Sequence, residues 1–422
     1  MISEVDNSHS SSQVLQNFDL LELILEHFGS ASEDVLSPSY HGYVGPRTKQ
    51  CLLRACLTTR SFMGPAINIL WRHMSSVSPI LNLIPNLYRQ EDGSYVSMIN
   101  ILNTRWISCR IKDLIGPIED AGIQSILFYT RKIRVYHLER EDLPISSGTL
   151  RKIIDQLKNM ETFSSLQHSI IWFNQLDEKQ FMLQSLLSDS SPNLCSLHLK
   201  TFPPCSAATA LSFLCASPNP QQSLQTLHLT GNFLDIGPFP PALTQLTNLC
   251  HLHLTAVASF IPPWFLQGCA SSMASLETLK IYLCSEVEDE SLETSYHDLA
   301  TFDLLKSLEL GGFSKSIGGM MNMICAPLLD TIILYTSCGQ LPDLRDSISK
   351  FISLHEKITK LSISFESPKV EIALCLEDIS LAKIQTAYDA SILKTASATS
   401  FDWSRSVVIS TGVKQAGEIS FV

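Results

Sequence analysis

The sequence predicts an α/β fold in which a short helical domain is followed by an array of parallel strands with helical or irregular returns. The first observation behind this prediction is a hexamer, apolar-x-x-apolar-x-apolar, which occurs seven times between residues 194 and 363 with starts 24 to 30 residues apart. A period of this length is typical of stacked repeat units, because one unit cannot bury its own apolar face. The second observation is that residues 13–85 have apolar residues at helical spacing without this repeat.

Composition and charge narrow the class of protein. The chain has 422 residues, of which 45% are apolar and 17% are charged, as expected of a folded globular protein. The net charge of −11 argues against nucleic acid as a partner, because phosphate backbones are bound mainly through Lys and Arg. There is no run of about 20 apolar residues and no signal-peptide pattern, so we expect no membrane association and a cytoplasmic or nuclear location.

The cysteine pattern and the motifs that the sequence lacks argue against metal, cofactor and enzyme chemistry. The twelve cysteines are dispersed from Cys51 to Cys375 without a C-x-x-C pair, so we expect reduced thiols rather than disulfides or a structural zinc site. The sequence has no nucleophile elbow, phosphate-binding loop, dinucleotide fingerprint or H-E-x-x-H motif. We therefore expect no cofactor, no catalytic residue and no enzymatic activity.

Residues 13–85 predict a domain of three helices, preceded by a disordered segment at residues 1–12. Asn17 is a suitable N-cap for a helix with the sequence FDLLELILEHF, which ends at Gly29. A second helix is predicted from Lys49 and a third from Pro65, at a first-turn position where the missing N–H does no harm. The first helix is apolar around most of its circumference, so we expect another protein or the repeats to cover part of it.

Each hexamer predicts a short strand whose apolar residues point into the core, followed by a return segment. The second copy, from Leu224, completes the longer pattern L-x-x-L-x-L-x-x-N-x-L. Two further copies, IQSILF from Ile123 and IRVYHL from Ile133, extend the predicted array upstream, so we expect a linker with junction helices in residues 86–114 and the array with a carboxy-terminal cap in residues 115–422. The seven main copies are LCSLHL, LQTLHL, LCHLHL, LETLKI, LKSLEL, LDTIIL and ITKLSI.

The polar positions of the hexamers point away from the core and form columns across the strands. Three successive histidines share one column, followed by Lys and Glu, and one more histidine stands at the preceding outward position. Because neighbouring strands lie about 4.8 Å apart, the imidazoles are expected to be close neighbours. Three interpretations remain open: a partner-binding patch that titrates near neutrality, a metal site, or a tolerated exposed sequence. The candidate substrate-binding residues are His198, His228, His251, His253, Lys280 and Glu309.

These motifs resemble two known families. The hexamer and its Asn-containing extension are similar to leucine-rich repeats. The amino-terminal segment resembles an F-box, most like those of mushroom-forming fungi, through R-S-F at Arg60, P-A at Pro65 and L-W-R at residues 70–72. The resemblance implies a three-helix F-box followed by an irregular leucine-rich-repeat solenoid, with parallel strands on its concave face and helical or irregular returns on its convex face.

The combination of the two families implies a substrate-recognition subunit of a Skp–cullin–F-box ubiquitin ligase, which is not itself catalytic. The F-box would dock a Skp-type adaptor and through it a cullin, and the repeats would bind an unknown protein for ubiquitin-dependent degradation. Two alternatives are a leucine-rich-repeat scaffold outside any ligase and a regulator similar to the leucine-rich-repeat Ran GTPase-activating proteins. The residues expected to contact the adaptor, some of which face the domain's own core, are Leu20, Leu21, Ile24, Leu25, Leu53 and Leu57.

Overall fold

The computed structural model belongs to the mixed α/β class. The chain divides into two compact units, Met1–Ile171 with Asp177–Leu194 and Trp172–Leu176 with Cys195–Val422. The predicted disordered segment, most of the predicted junction and most of the predicted carboxy-terminal cap lie outside the described residues. The structure describes residues 17–30, 46–84, 87–89, 95–97, 118–138, 145–157, 160–173, 178–201, 222–231, 233–236, 240–256, 258, 260–284, 299–336, 341–355, 357–366, 369–375 and 405–407.

Three helices open the first unit, as the apolar spacing predicts. They are α1 (Phe18–Ser30), α2 (Pro46–Thr58) and α3 (Arg60–Arg72). Asn17 caps α1, because its Oδ1 accepts a hydrogen bond from the backbone N–H of Leu20 at 3.1 Å. Side chains of all three helices meet in one apolar core, whose buried members are Leu25, Leu52, Ala66 and Ile69.

The third helix begins five residues before the predicted start at Pro65. Thr59 caps it, because its side-chain oxygen accepts a hydrogen bond from the backbone N–H of Phe62 at 3.4 Å. Pro65 therefore lies inside the helix, where it provides no N–H for the carbonyl of Ser61. The predicted start of this helix at Pro65 is therefore wrong, because the Thr59 cap and not the proline marks where the helix begins.

Strands and helices alternate in the rest of the first unit. These elements are β1 (His73–Met74), α4 (Ser78–Leu81), β2 (Leu87–Arg89), β3 (Tyr95–Ser97), α5 (Asp120–Thr130), β4 (Val135–Leu138), α6 (Ser147–Leu157), β5 (His168–Phe173) and α7 (Glu178–Asp189). Strands β1, β4 and β5 pair in parallel in that order, whereas β2 and β3 form a separate antiparallel pair.

The segment IQSILF, predicted as a strand of the array, belongs to helix α5 instead. The buried residues of α5 are Gly122, Ile126, Leu127 and Thr130, which lie on one helical face. A short apolar run does not distinguish a strand from a helix by its spacing alone, and here the helix forms. The next looser copy, IRVYHL, does contain a strand, β4.

Strand β5 was not predicted. The segment LQHSII from Leu166 would be another copy of the hexamer, but Ser169 occupies its middle apolar position. Ser169 is nevertheless buried, opposite Tyr136 of β4. Because a small polar residue occupies a core position, the apolar pattern does not predict this strand.

The second unit confirms the seven predicted strands. Each hexamer overlaps one strand, and the seven strands are parallel neighbours in chain order. Two further short strands, β10 and β12, pair with each other. In chain order the strands are β6 (Ser196–Thr201), β7 (Thr226–Gly231), β8 (His251–Ala256), β9 (Thr278–Leu283), β10 (Ala300–Thr301), β11 (Ser307–Gly312), β12 (Ile324–Cys325), β13 (Thr331–Thr336) and β14 (Lys360–Glu366).

Two more strands extend this sheet beyond β14. Strand β15 (Lys369–Cys375) pairs with it antiparallel, and β16 (Arg405–Val407), in the predicted segment WSRSVVIS, pairs in parallel with β15. The described returns between the strands are a 3₁₀ helix (Phe233–Ile236) and the helices α8 (Pro241–Thr244), α9 (Pro263–Ser272), α10 (Ser314–Met323) and α11 (Leu341–Leu354).

The core of the second unit lies on one face of these strands. The three apolar positions of each hexamer are buried in all seven copies, and the middle position forms a continuous column across the strands. Parallel sheets covered on both faces have continuous apolar strands, whereas the alternation here leaves the second face half-buried and polar. The middle column consists of Leu197, Leu227, Leu252, Leu279, Leu308, Ile332 and Leu361.

Candidate functional site

The first candidate site is an exposed apolar surface on the three helices of the first unit. Leu23 on α1 is 61% exposed and Leu57 on α2 is 80% exposed, although both are large apolar side chains. Burying a leucine side chain is worth about 2 kcal/mol, so an array of exposed leucines favours a protein partner. We call this set the helical apolar surface; its members are Phe18, Leu20, Leu23, Ile24, Leu53, Leu57 and Met63.

The structure separates the six predicted adaptor contacts into two groups. Leu20, Ile24, Leu53 and Leu57 are exposed and belong to the helical apolar surface. By contrast, the side chains of Leu21 and Leu25, one helical turn apart on α1, point inward, with exposed fractions of 2% and 9%. These two residues are therefore not available to contact an adaptor.

The acidic residues of α1 have an internal role. The guanidinium of Arg72 on α3 lies 3.2 Å from Oε1 of Glu22 and forms a second ion pair with Glu26. These side chains are partly shielded from solvent, so the pairs fix α1 against α3 more firmly than fully exposed pairs would. Glu22 and Glu26 therefore face their own domain, whereas Leu20, Leu23 and Ile24 are exposed, as are Asp19 and His27.

The second candidate site is the polar face of the seven parallel strands. The strand register places His198 opposite His228, and His228 opposite His253. The column then continues through Lys280 and Glu309. The predicted alignment of these five side chains is therefore confirmed.

Aromatic and imidazole rings form a continuous chain across this face. The ring centroids of His198 and His228 are 5.2 Å apart, those of His228 and His253 are 4.7 Å apart, and those of His253 and Tyr282 are 5.2 Å apart. Tyr282 continues to Tyr335 at 5.6 Å. We call these five residues the ring face. The two tyrosines are not among the predicted residues, although both occupy the outward position two residues after the column.

Hydrogen bonds hold the imidazoles in place. His228 Nδ1 lies 3.1 Å from His253 Nδ1, and His198 Nε2 lies 2.9 Å from the hydroxyl of Thr230. Thr255 places its hydroxyl 3.4 Å from His253 Nε2. The threonines occupy the same outward column as the tyrosines, so two neighbouring columns fix the orientation of each ring.

Lys280 and Glu309 were predicted as independent contacts but pair with each other. The Lys280 ammonium lies 2.5 Å from Glu309 Oε2, and the Tyr282 hydroxyl donates a hydrogen bond to Glu309 Oε1. Glu309 is buried beneath these two partners. Burial, together with the hydrogen bond to the Glu309 carboxylate, raises the pKa of Tyr282 above its ordinary value, so this phenol stays protonated.

Two histidines of the ring face have pKa values below the ordinary one. Burial, followed by the positive charges around it, lowers the pKa of His228 from 6.5 to about 4. Burial and the nearby Lys280 ammonium also lower the pKa of His253, against an opposing effect of Glu309. The predicted titration near neutrality is therefore wrong for His228, and the pKa of His253 is shifted in the same direction, because desolvation disfavours the imidazolium form.

His251 lies apart from the ring face. It is exposed, and the strand register places it between Thr226 and Thr278, in the column before the three histidines. Within the described residues there is no group of three or more His, Cys, Asp or Glu side chains arranged to hold a metal ion.

Comparison with known proteins provides no family for this chain: no known protein family and no curated protein matches it. None of the helices in the described ranges combines the length and the apolar composition that a membrane span requires. The function is therefore inferred from the two surfaces themselves.

Proposed function

We propose that this protein is the substrate-recognition subunit of a Skp–cullin–F-box ubiquitin ligase. In this proposal the three helices are an F-box that binds a Skp-type adaptor through the helical apolar surface, and through it a cullin. The parallel strands are an irregular leucine-rich-repeat solenoid whose ring face binds the target protein. The observation that carries the proposal is that one chain combines an exposed apolar three-helix surface with a seven-strand repeat array.

The shape of α1 supports an adaptor site. Leu21 and Leu25 anchor the helix to its own core, and Arg72 holds the acidic stripe. The remaining side of the helix exposes Leu23 and Ile24. A helix that pairs its glutamates internally and exposes apolar side chains is suited to a partner that supplies a second apolar surface.

The ring face supports a protein target rather than a small molecule. It extends over neighbouring strands of the sheet, and its rings are half-buried and held by hydrogen bonds. Aromatic side chains fixed in place are the usual energetic centres of protein interfaces, because they bury a large area with little loss of side-chain entropy. We propose that the ring face binds its target without catalysis.

The adaptor contact is tested by replacing Leu23 and Leu57 with Asp. Both side chains are exposed, so the substitutions should leave the fold intact while placing charge in the interface. We expect the wild-type protein to co-purify with a Skp-type adaptor and the double variant to lose it by at least tenfold, since buried unpaired charges cost several kcal/mol.

The matched control for this test is Leu354→Asp. Leu354 is 65% exposed on α11, outside the helical apolar surface, so this variant should retain the adaptor. A wild-type protein that never binds a Skp-type adaptor would remove the ligase assignment and leave the scaffold alternative. Loss of the adaptor in the Leu354→Asp variant as well would show that the effect is not specific to the proposed surface.

Target binding is tested on the ring face. Replacing His228 and His253 with Ala removes two of the five rings, and we expect target capture to fall while the adaptor stays bound. The control is Lys360→Ala, at an exposed position of β14 outside the ring face. If the His228→Ala, His253→Ala protein captures the same proteins as the wild type in the same amounts, the ring face is not the target site.

A further inference from the structure

Two ring nitrogens of the ring face are close enough to share a metal ion. His228 Nδ1 and His253 Nδ1, from neighbouring strands, are 3.1 Å apart. Zinc binds imidazole nitrogen at about 2.0–2.1 Å, so two ligands of one ion lie about 2.9 Å apart at a right angle and about 3.4 Å apart at a tetrahedral angle. The observed separation falls between these limits.

We propose that His228 and His253 form a binding site for one divalent late transition-metal ion, of the Zn²⁺, Ni²⁺ or Cu²⁺ class. The site has two imidazole ligands, and water completes the coordination. Imidazole suits these ions, whereas Ca²⁺ and Mg²⁺ require oxygen ligands. This inference is independent of the proposed ligase function, because it requires no partner protein.

The surroundings of the pair support the required ring tautomers. A metal at both Nδ1 atoms needs each ring to carry its proton on Nε2. Thr255 places its hydroxyl 3.4 Å from His253 Nε2 and can accept that proton in a hydrogen bond. Such a contact from a neighbouring residue fixes the ligand ring and is a regular feature of metal-binding histidines. On binding, the ring that donates from Nδ1 releases this proton to solvent and takes up one from solvent at Nε2, so both rings stay neutral.

Positive groups near the pair, Lys280, Lys200 and His251, oppose a cation at His228. Lys280 is opposite His253 in the next strand, but its ammonium is paired with the buried carboxylate of Glu309. A further imidazole is that of His198, whose ring centroid lies 5.2 Å from that of His228. The arrangement therefore provides two nitrogen ligands, while the neighbouring positive charge is already partly compensated.

The test is nickel binding by the full-length protein, measured by titration calorimetry with a thiol-free reductant. Nickel is the probe because imidazole suits it, whereas the thiols of the chain favour zinc more strongly. We expect one nickel ion per chain to bind the wild type. The His228→Gln and His253→Gln variants should each bind that ion at least about tenfold more weakly.

His251→Gln is the matched control, since His251 is an exposed histidine on the same strand as His253. This variant should bind nickel as the wild type does. The proposal is overturned if the wild type binds nickel no better than a His228→Gln, His253→Gln double variant, or if His251→Gln loses as much affinity as the other two. In those cases the 3.1 Å contact is a hydrogen bond only.

A second measurement uses the wild type alone and so does not depend on the folding of any variant. Diethyl pyrocarbonate acylates free imidazole nitrogens, and mass spectrometry locates the modified residues. Zinc chloride should protect His228 and His253 from acylation while His251 continues to react. Equal reaction of all three residues with and without zinc contradicts the proposal.

Discussion

At position 311 the lack of a side chain shapes the ring face. Gly311 of β11 lies between Tyr282 of β9 and Tyr335 of β13 in the strand register. A Cβ atom at this position would lie 2.5 Å from Cδ1 of Tyr282. The two tyrosine rings contact each other across an intervening strand because that strand contributes no side chain there.

Gly311→Ala should therefore displace the Tyr282 ring and weaken its hydrogen bond to Glu309. We expect a loss of about 1–3 kcal/mol in the free energy of unfolding, typical of overpacking, together with reduced target capture. Urea denaturation measures the first effect, and affinity capture measures the second. Ser364→Ala, in the same outward column of β14, should change neither quantity appreciably.

His355 is a buried histidine whose tautomer is fixed by its two partners. Nε2 accepts a hydrogen bond from the backbone N–H of Ala326 at 3.0 Å, and Nδ1 donates to the carbonyl of Phe351 at 2.7 Å. Its ring also stacks on the Phe351 ring, with centroids 4.0 Å apart. One side chain thus ties the end of α11 to the turn after β12.

His355→Ala should destabilise the second unit by about 1–3 kcal/mol or more, because it leaves a buried N–H without its acceptor and opens a cavity. Thermal or urea unfolding measures this loss. The control is Ser353→Ala, an exposed position on the same helix. An unfolding free energy equal to that of the wild type would show that neither contact of His355 contributes net stability.

At the scale of elements, the parallel strands combine a uniform core with a varied outer face. Every hexamer places Leu or Ile at its three buried positions, so the seven strands stack by the same contacts. The outward positions are free of this constraint and carry imidazoles, tyrosines, threonines and an ion pair. Binding specificity in this architecture lies in the outward columns.

The buried histidines of two strands should make stability depend on pH. The pKa of His228 in β7 and that of His73 in β1 are both lowered to about 4, mainly by burial. Between about pH 6.5 and pH 4 the unfolded chain therefore binds protons at these residues that the folded chain does not. The free energy of unfolding should fall as the pH decreases through this window and recover above pH 6.5.

Urea denaturation at pH 7.5, 5.5 and 4.5 measures this dependence. The His228→Gln variant should show a shallower decrease than the wild type, because one of the contributing groups is gone. Stability that does not change between pH 7.5 and 4.5 would contradict the burial of these imidazoles. Target capture, by contrast, should be constant between pH 6.5 and 8, since the His228 imidazole, with a pKa of about 4, is neutral throughout that range.

At the scale of the whole molecule, the net charge of −11 contrasts with the local charge of the ring face. Lys280 is paired with Glu309, and Lys200 places its ammonium 4.5 Å from the centre of the Trp172 ring. Both of these cations thus have partners within the chain. The proposed recognition at this face should therefore depend on ring contacts and hydrogen bonds more than on charge.

Target capture should accordingly depend only weakly on salt. We expect a change of less than about threefold between 50 and 300 mM NaCl, because screening mainly affects exposed unpaired charges. The measurement is the binding of purified target to the surface-immobilised chain at a series of salt concentrations. A decrease of tenfold or more over this range would indicate that charged residues elsewhere on the chain make the main contacts.

The sequence by itself determined the features that depend on local periodicity. The hexamer spacing predicted seven parallel strands, and the period-two alternation aligned His198, His228, His253, Lys280 and Glu309 in one column. Both follow because a strand has only two faces, and stacked repeats keep their register. The same spacing wrongly predicted a strand at IQSILF, since a short apolar run fits a helix equally well.

Only the tertiary structure decided which residues meet and how they are charged. It turned Leu21 and Leu25 inward, brought Tyr282 to Tyr335 across Gly311, and lowered the pKa of His228. These properties depend on neighbours distant in the chain and on removal from water. A one-dimensional pattern carries neither kind of information, because burial and ring contact arise only when separate segments pack together.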